Sequence, residues 1–147
     1  MSALNTILGS LKTGLEGITV ANGYNSTVVN VYDYPISATN LSSGGYPAII
    51  ILQIAPNVIL VEDSAGRRIE TPMVISGFVS VTRSSIQSDL TNLGADIKNY
   101  LDGLTASSLG TGCLHIAWVG SDMEILKDKA QYDVDVRITY YVAKGDN

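Results

Sequence analysis

Two residues in this chain have types suited to nucleophilic chemistry and a spacing that could bring them together. Cys113 and His115 stand two apart in a stretch of strand character, and side chains two apart in a strand share a face. Such a pair could form a thiolate–imidazole couple, in which the imidazole takes the thiol proton and the thiolate attacks. A cysteine hydrolase needs more than that: an oxyanion hole, and a base held in place by a third group. The pair by itself shows neither, so the plainer reading is two small strand residues. His115 is the single histidine, which excludes a zinc site built on two or three imidazoles. Leu109-Gly110-Thr111-Gly112 is glycine-rich but lacks the Gly-Lys-Ser/Thr ending and precedes a strand, so it is not a phosphate loop. No Gly-x-Ser-x-Gly occurs, and Ser43-Gly44-Gly45 falls in an ordinary loop.

Carboxylate pairs are the other candidates. Asp133 with Asp135, or Glu62 with Asp63, could hold a hard cation, but no loop has EF-hand spacing. A solvated or interface face explains them better. Tyr24, Tyr32, Tyr34 and Tyr46 could stack nucleic-acid bases, yet no Lys or Arg is interleaved with them. They read as core and subunit contacts. No catalytic, cofactor-binding or metal site is expected, and no enzyme.

The elements that carry these residues follow from periodicity. Ser2 can cap a first helix whose apolar residues Leu4, Ile7, Leu8, Leu11 and Leu15 form one stripe, with Gly17 as its stop. A short strand over 27–32 and a polar loop over 35–45 come next. A second strand over 46–54 contains Ile49, Ile50, Ile51 and Leu52 in succession, a pattern of a strand covered on both faces. Ala55-Pro56-Asn57 interrupts it, as a reversal or a kink. Asp63-Ser64-Ala65-Gly66 has turn chemistry, so 58–70 is expected to project as a hairpin. A strand over 73–82 places Met73, Ile75, Val79 and Val81 on one face. A helix over 85–104 repeats Ile86, Leu90, Leu93, Ile97, Leu101 and Leu104, with Asp89, Asp96 and Lys98 off the stripe. A flexible link over 105–112, a strand over 114–119 and a polar connection over 120–129 lead to the last strand, 132–142. There Val134, Val136, Ile138 and Tyr140 face one way, and Asp133, Asp135, Arg137 and Thr139 the other. Strands grouped before and after one helix predict a single α+β domain over 1–147, its sheet mostly antiparallel and both amphipathic helices on one face.

Composition narrows the function classes. The 147 residues suit one domain able to hide roughly two-thirds of its surface. Charged residues are 16% and net charge is −5, which argues against a phosphate-gripping nucleic-acid binder. A pore through which DNA slides is different, because carboxylates keep it non-adhesive by repulsion. Low charge with a positive mean hydropathy of +0.21 suggests surface buried against other subunits. No run approaches the ~20 apolar residues of a membrane helix. Met1-Ser2-Ala3-Leu4-Asn5 has no basic region and Lys12 breaks the apolar stretch, so no signal peptide is expected. The sequons at Asn25 and Asn40 then carry no meaning, and the lone Cys113 suits a reducing cytoplasm.

Taken in order, the elements resemble the bacteriophage tail terminator family, also called tail completion or tail-to-head joining proteins. The resemblance rests on the opening helix Leu4 to Leu15, the valine-rich strand ending at Tyr34-Pro35, and Tyr46-Pro47-Ala48-Ile49-Ile50. It continues through the 73–82 strand, the 85–104 helix and the closing Val134-x-Val136-x-Ile138-x-Tyr140. It implies a homo-oligomeric ring, typically a hexamer, that caps the tail tube, ends its elongation and joins tail to head, with DNA passing through the centre. Implied partners are the tube protein, a neck or connector protein and, in a contractile tail, the sheath. The place implied is the virion tail or neck, assembled in the host bacterial cytoplasm. The long 58–70 segment departs from the simple family picture and leaves tube terminator, sheath terminator and neck protein open. Its charges Glu62, Asp63, Arg67, Arg68 and Glu70, with Asp133, Asp135 and Arg137 of the last strand, are the expected interface. A small ligand-binding or accessory domain, using the 49–52 strand and the tyrosines as a pocket, is the alternative.

Overall fold

Two long strands form the spine of the molecule. The computed structural model describes residues 3–34, 45–110 and 112–145. In chain order it contains α1 (Ala3–Glu16), β1 (Asn30–Tyr32), β2 (Ala48–Gln53), β3 (Val58–Glu62), β4 (Gly66–Val79), α2 (Ile86–Asp102), β5 (Cys113–Ile125) and β6 (Ala130–Ala143). β4 and β6 pair antiparallel over their whole lengths, from Gly66 opposite Ala143 to Val79 opposite Ala130. β5 flanks β6, while β2 and β3 both lie on the other side of β4; β1 adds to β2 in parallel, and the other pairings among the described residues are antiparallel.

Residues directly opposite in an antiparallel pair share a face, so register defines the core. Ile69, Met73 and Ile75 of β4 lie with Val134, Val136, Ile138 and Tyr140 of β6 and with Ile49 and Ile51 of β2. All are buried in one cluster with Ile7, Leu11 and Leu15 of α1 and Leu90, Leu93, Ile97 and Leu101 of α2. Both helices therefore cover the same face, and the α+β class expected from periodicity is the one observed. α2 sits close because Gly77 and Gly94 lack side chains. A methyl on Gly77 would lie 2.7 Å from Leu93, and one on Gly94 2.5 Å from the Tyr132 ring. On the second face Ala48, Ile50 and Phe78 are also buried, which explains the unbroken aliphatic run of β2.

Several expected boundaries shift, each for a local reason. Pro56 marks a bulge and not a reversal: Gln53 pairs with Met73 and Val58 with Glu70, so four residues of one strand stand opposite Thr71 and Pro72. The cause lies across the ladder. The Pro72 carbonyl accepts the Ile54 N–H at 3.1 Å, so its ring nitrogen faces the same margin and offers no donor there. For the same reason the strand expected at 73–82 is the second half of one strand beginning at Gly66. The 120–129 connection is mostly strand as well. Gly120 to Ile125 pair with β6 from Asp135 to Ala130, because an edge strand tolerates polar residues when its neighbour is long. The first strand shrinks to Asn30–Tyr32. The 105–112 link is anchored by buried Leu109. The 35–45 loop, except Gly45, lies outside the described residues.

Asp96, expected off the apolar stripe of α2, is buried. Its Oδ1 accepts the Asn25 backbone N–H at 3.1 Å and the Asn25 amide at 3.2 Å, tying the segment after α1 to α2. Its Oδ2 has no hydrogen-bond partner among the described residues.

Candidate functional site

The cysteine–histidine pair does not exist as a pair. Cys113 lies opposite Tyr140 but His115 lies opposite Thr139, because a bulge at Leu114 intervenes. One extra residue reverses the face taken by the residues after it. Cys113 therefore points into the core, and His115 is exposed on the second face. Burial pushes the Cys113 thiol up, against a weaker lowering by the His115 backbone hydrogen bond, so the thiol stays protonated near neutrality and is a poor nucleophile. Among the described residues no cluster of His, Cys, Asp and Glu could hold a metal. A cleft of about 260 Å³ lies between α2 and the start of β2, lined by Asn25, Tyr46, Arg83, Asp89 and Asn92 among others. It is small for a ligand site. Its Arg83 and Asp89 pair with each other at 3.5 Å, and Ser85 Oγ donates to Asp89 at 2.9 Å. The tyrosines scatter: Tyr32 and Tyr34 meet edge to face at 5.5 Å, and Tyr46 lines the cleft.

What the structure assembles instead is a pair of sheet margins. The turn between β3 and β4 is held by Asp63, whose Oδ1 accepts the N–H groups of Ala65 at 2.8 Å and Gly66 at 3.0 Å, an Asx turn in the expected place. Gly66 suits that position, since a methyl would fall 2.3 Å from the Val142 carbonyl oxygen. The hairpin projects only in part. Its inner strand pairs with β6 and buries Ile69, while β3 itself is bare: Val58, Ile59, Leu60 and Val61 are between 45% and 54% exposed.

Charges divide by face. Register puts Arg68 and Glu70 on the second face with Asp133, Asp135 and Arg137, and Arg67 on the helix face. Arg67 pairs with Glu62 at 3.5 Å, an exposed contact of little energetic weight. Arg68 makes no ion pair among the described residues. Asp133 accepts from Ser76 Oγ and Gln131 Nε2, both at 2.6 Å. Asp122 of β5 stands directly opposite Asp133. That neighbour falls in the 120–129 segment expected as a polar connection, where the alternation of Asp122 and Glu124 with Met123 and Ile125 is the strand signal.

A second cluster escaped the sequence reading. Lys98 of α2 hydrogen-bonds the Tyr132 hydroxyl at 2.5 Å and lies 4.9 Å from the Trp118 ring centre, while Trp118 Nε1 donates to Asp102 at 2.8 Å. Burial raises the Tyr132 phenol, but hydrogen bonds from Lys98 and Ser121 and the Lys98 charge bring it below its ordinary value. These contacts clamp α2 to β5 and β6.

No helix among the described residues is long and apolar enough to cross a membrane. No family model matches the chain, and no curated protein matches it. Solved structures do. A chain from the virion of a native gene transfer agent particle superposes with a TM-score of 0.56, at 16% identity, over 92% of this chain and 98% of that one. At that identity the likeness is one of fold: this chain folds, over nearly its whole length, as a chain of that virion does.

Proposed function

We propose that the protein is a structural subunit of a phage-like virion. More narrowly, it is a tail terminator whose copies form a ring, with a hexamer as the expected size. The ring caps the tail tube, ends tube growth and presents a surface to the neck or connector, and DNA passes through its centre. In a contractile tail the sheath is a further neighbour. The observation that carries this reading is the fold likeness to a virion chain over almost the full length of both chains. Net charge of −5 supports a pore that does not grip DNA. The charges Glu62, Asp63, Arg67, Arg68 and Glu70 serve registry against an adjoining ring, where complementary charge sets specificity and rate more than affinity. Asp133, Asp135 and Arg137, on the second face, complete the expected interface.

Native mass spectrometry and negative-stain images of the purified protein, alone and with tail tubes, test the ring. Closed rings of one subunit number are expected. A strict monomer at high concentration that also ignores tail tubes defeats the reading. Charge neutralisation of the hairpin (Glu62→Gln, Asp63→Asn, Arg67→Gln, Arg68→Gln) leaves the fold intact, since these side chains are exposed and an amide oxygen at position 63 still accepts the two N–H groups of the turn. In a phage carrying that variant, micrographs should show unattached heads or tails of uncontrolled length. Normal particles at normal yield would remove the docking role from these residues.

A further inference from the structure

Among the described residues the unpaired strand edges are those of β1 and β3 on one side of β4 and of β5 beyond β6. Of these, β3 and β5 carry exposed aliphatic residues. Among the described residues, no strand pairs with β3 beyond β4 or with β5 beyond β6. Natural sheets guard such edges with charge, proline or a cover. Here Val58, Ile59, Leu60 and Val61 stand exposed in succession on β3, and exposed Leu114, Val119, Met123 and Ile125 recur along β5. Bulges bend both strands but leave these aliphatic side chains in water.

We propose that β3 of one copy docks edge to edge against β5 of the next, as the contact that closes the ring; the inference rests on the ring reading above. Strand direction selects a second copy as the occupant. Within one chain β3, β4, β6 and β5 are successively antiparallel, so β3 and β5 run in opposite directions. Rotation about an axis along the strands keeps every direction, and β3 then meets the neighbour's β5 antiparallel, the slightly more stable pairing. Side chains agree, because exposed aliphatic residues recur along all of β5 and cover β3 over a range of offsets.

Charge agrees as well. Arg68, beside β3 on the second face, has no ion-pair partner among the described residues, while Asp122, Asp133 and Asp135 occupy the same face near β5. A rotation that preserves faces sets the arginine of one copy toward the carboxylates of the next. Such a contact joins two different surfaces, and repetition of it gives a closed ring when the rotation closes.

Cross-linking between separately labelled copies tests the contact. In a Cys113→Ser background, one batch carries Leu60→Cys, a second Val119→Cys and a third Met123→Cys. Batches are mixed after assembly conditions are set and treated with a short bis-maleimide, and native mass is read in parallel on untreated samples. Dimers should form in mixtures of the β3 batch with a β5 batch and be scarce in each batch alone. Dimers of equal yield within the β3 batch alone would mean a twofold contact and overturn the proposal. Rings without mixed dimers overturn the contact and leave the ring reading standing, whereas monomers under all conditions overturn both. A second variant, Ile59→Lys with Val61→Lys, changes exposed side chains and should keep the circular dichroism spectrum. Its assembly should weaken about tenfold or more; rings at undiminished affinity would overturn the proposal.

Discussion

Two aliphatic runs lie along the same margin of β4 and meet opposite fates. Ile49, Ile50 and Ile51 of β2 are buried, while Val58, Ile59, Leu60 and Val61 of β3 are about half exposed. Both runs pair antiparallel with β4, and both are rich in branched residues. The difference is what stands over them. The β2 end of the sheet lies beneath α2, whose Leu93 and Ile97 approach Gly77, and its second face is buried at Ala48 and Phe78. The β3 end extends past the helices, and no described element covers it. Burial is therefore a property of the layer above a strand and not of the strand's own composition. An aliphatic strand left bare by its own chain is a surface for association.

The largest effect that would sharpen this contrast comes from the covered end. Val136 is fully buried beneath the helices, and Asp135, one residue away, faces the other side. Val136→Asp puts an unpaired charge in the core and should cost about 3–5 kcal/mol, a large part of a domain's stability. Asp135→Asn should leave the circular dichroism spectrum and thermal midpoint nearly unchanged. Equal damage from the two changes would mean that the faces are misassigned.

A smaller and local effect is expected at the bare end. Gly66→Ala drives a methyl against the Val142 carbonyl oxygen, a backbone atom that cannot swing aside. The cost should be about 1–3 kcal/mol. Hydrogen exchange should rise between Gly66 and Glu70 and between Thr139 and Ala143, while amides beneath α2 keep their protection. Uniform loosening of the sheet would show that the two ends are one cooperative unit.

The smallest effect lies in the helix layer and depends on pH. Burial, then repulsion from Tyr24, pushes the Tyr100 phenol from 10.0 up to about 12, at a site where its hydroxyl also fills the notch over Gly14. A group whose folded pKa is raised stabilises fully below its unfolded pKa, and that contribution is lost as pH rises through the folded value. Wild type should therefore lose thermal stability between pH 10 and pH 12, and Tyr100→Phe should lose less over that window. Identical slopes in thermal scans would place the alkaline sensitivity elsewhere.

Periodicity alone made the helices legible. Five apolar residues at helical spacing predicted α1, and Ile7, Leu11 and Leu15 are its buried residues. The alternation of 132–142 likewise predicted which side of β6 enters the core. Such features depend on the geometry of one element and are written in its own residues. The fate of Cys113 and His115 was not. Two residues apart in a strand share a face unless a bulge intervenes, and the bulge at Leu114 is defined by how β5 pairs with β6 and not by the residues of β5 alone. The four-residue bulge opposite Pro72 is of the same kind, set by a proline in the facing strand. Asp96 looked like a solvated residue of an amphipathic helix, and only the arrival of Asn25 made it a buried acceptor. Sequence by itself determined the α+β class, the two helix stripes and the core face of β6, because those arise from local repeat. Only the tertiary structure decided which aliphatic run is covered, which face each charge takes and whether the thiol meets the imidazole, because each depends on a partner distant in sequence.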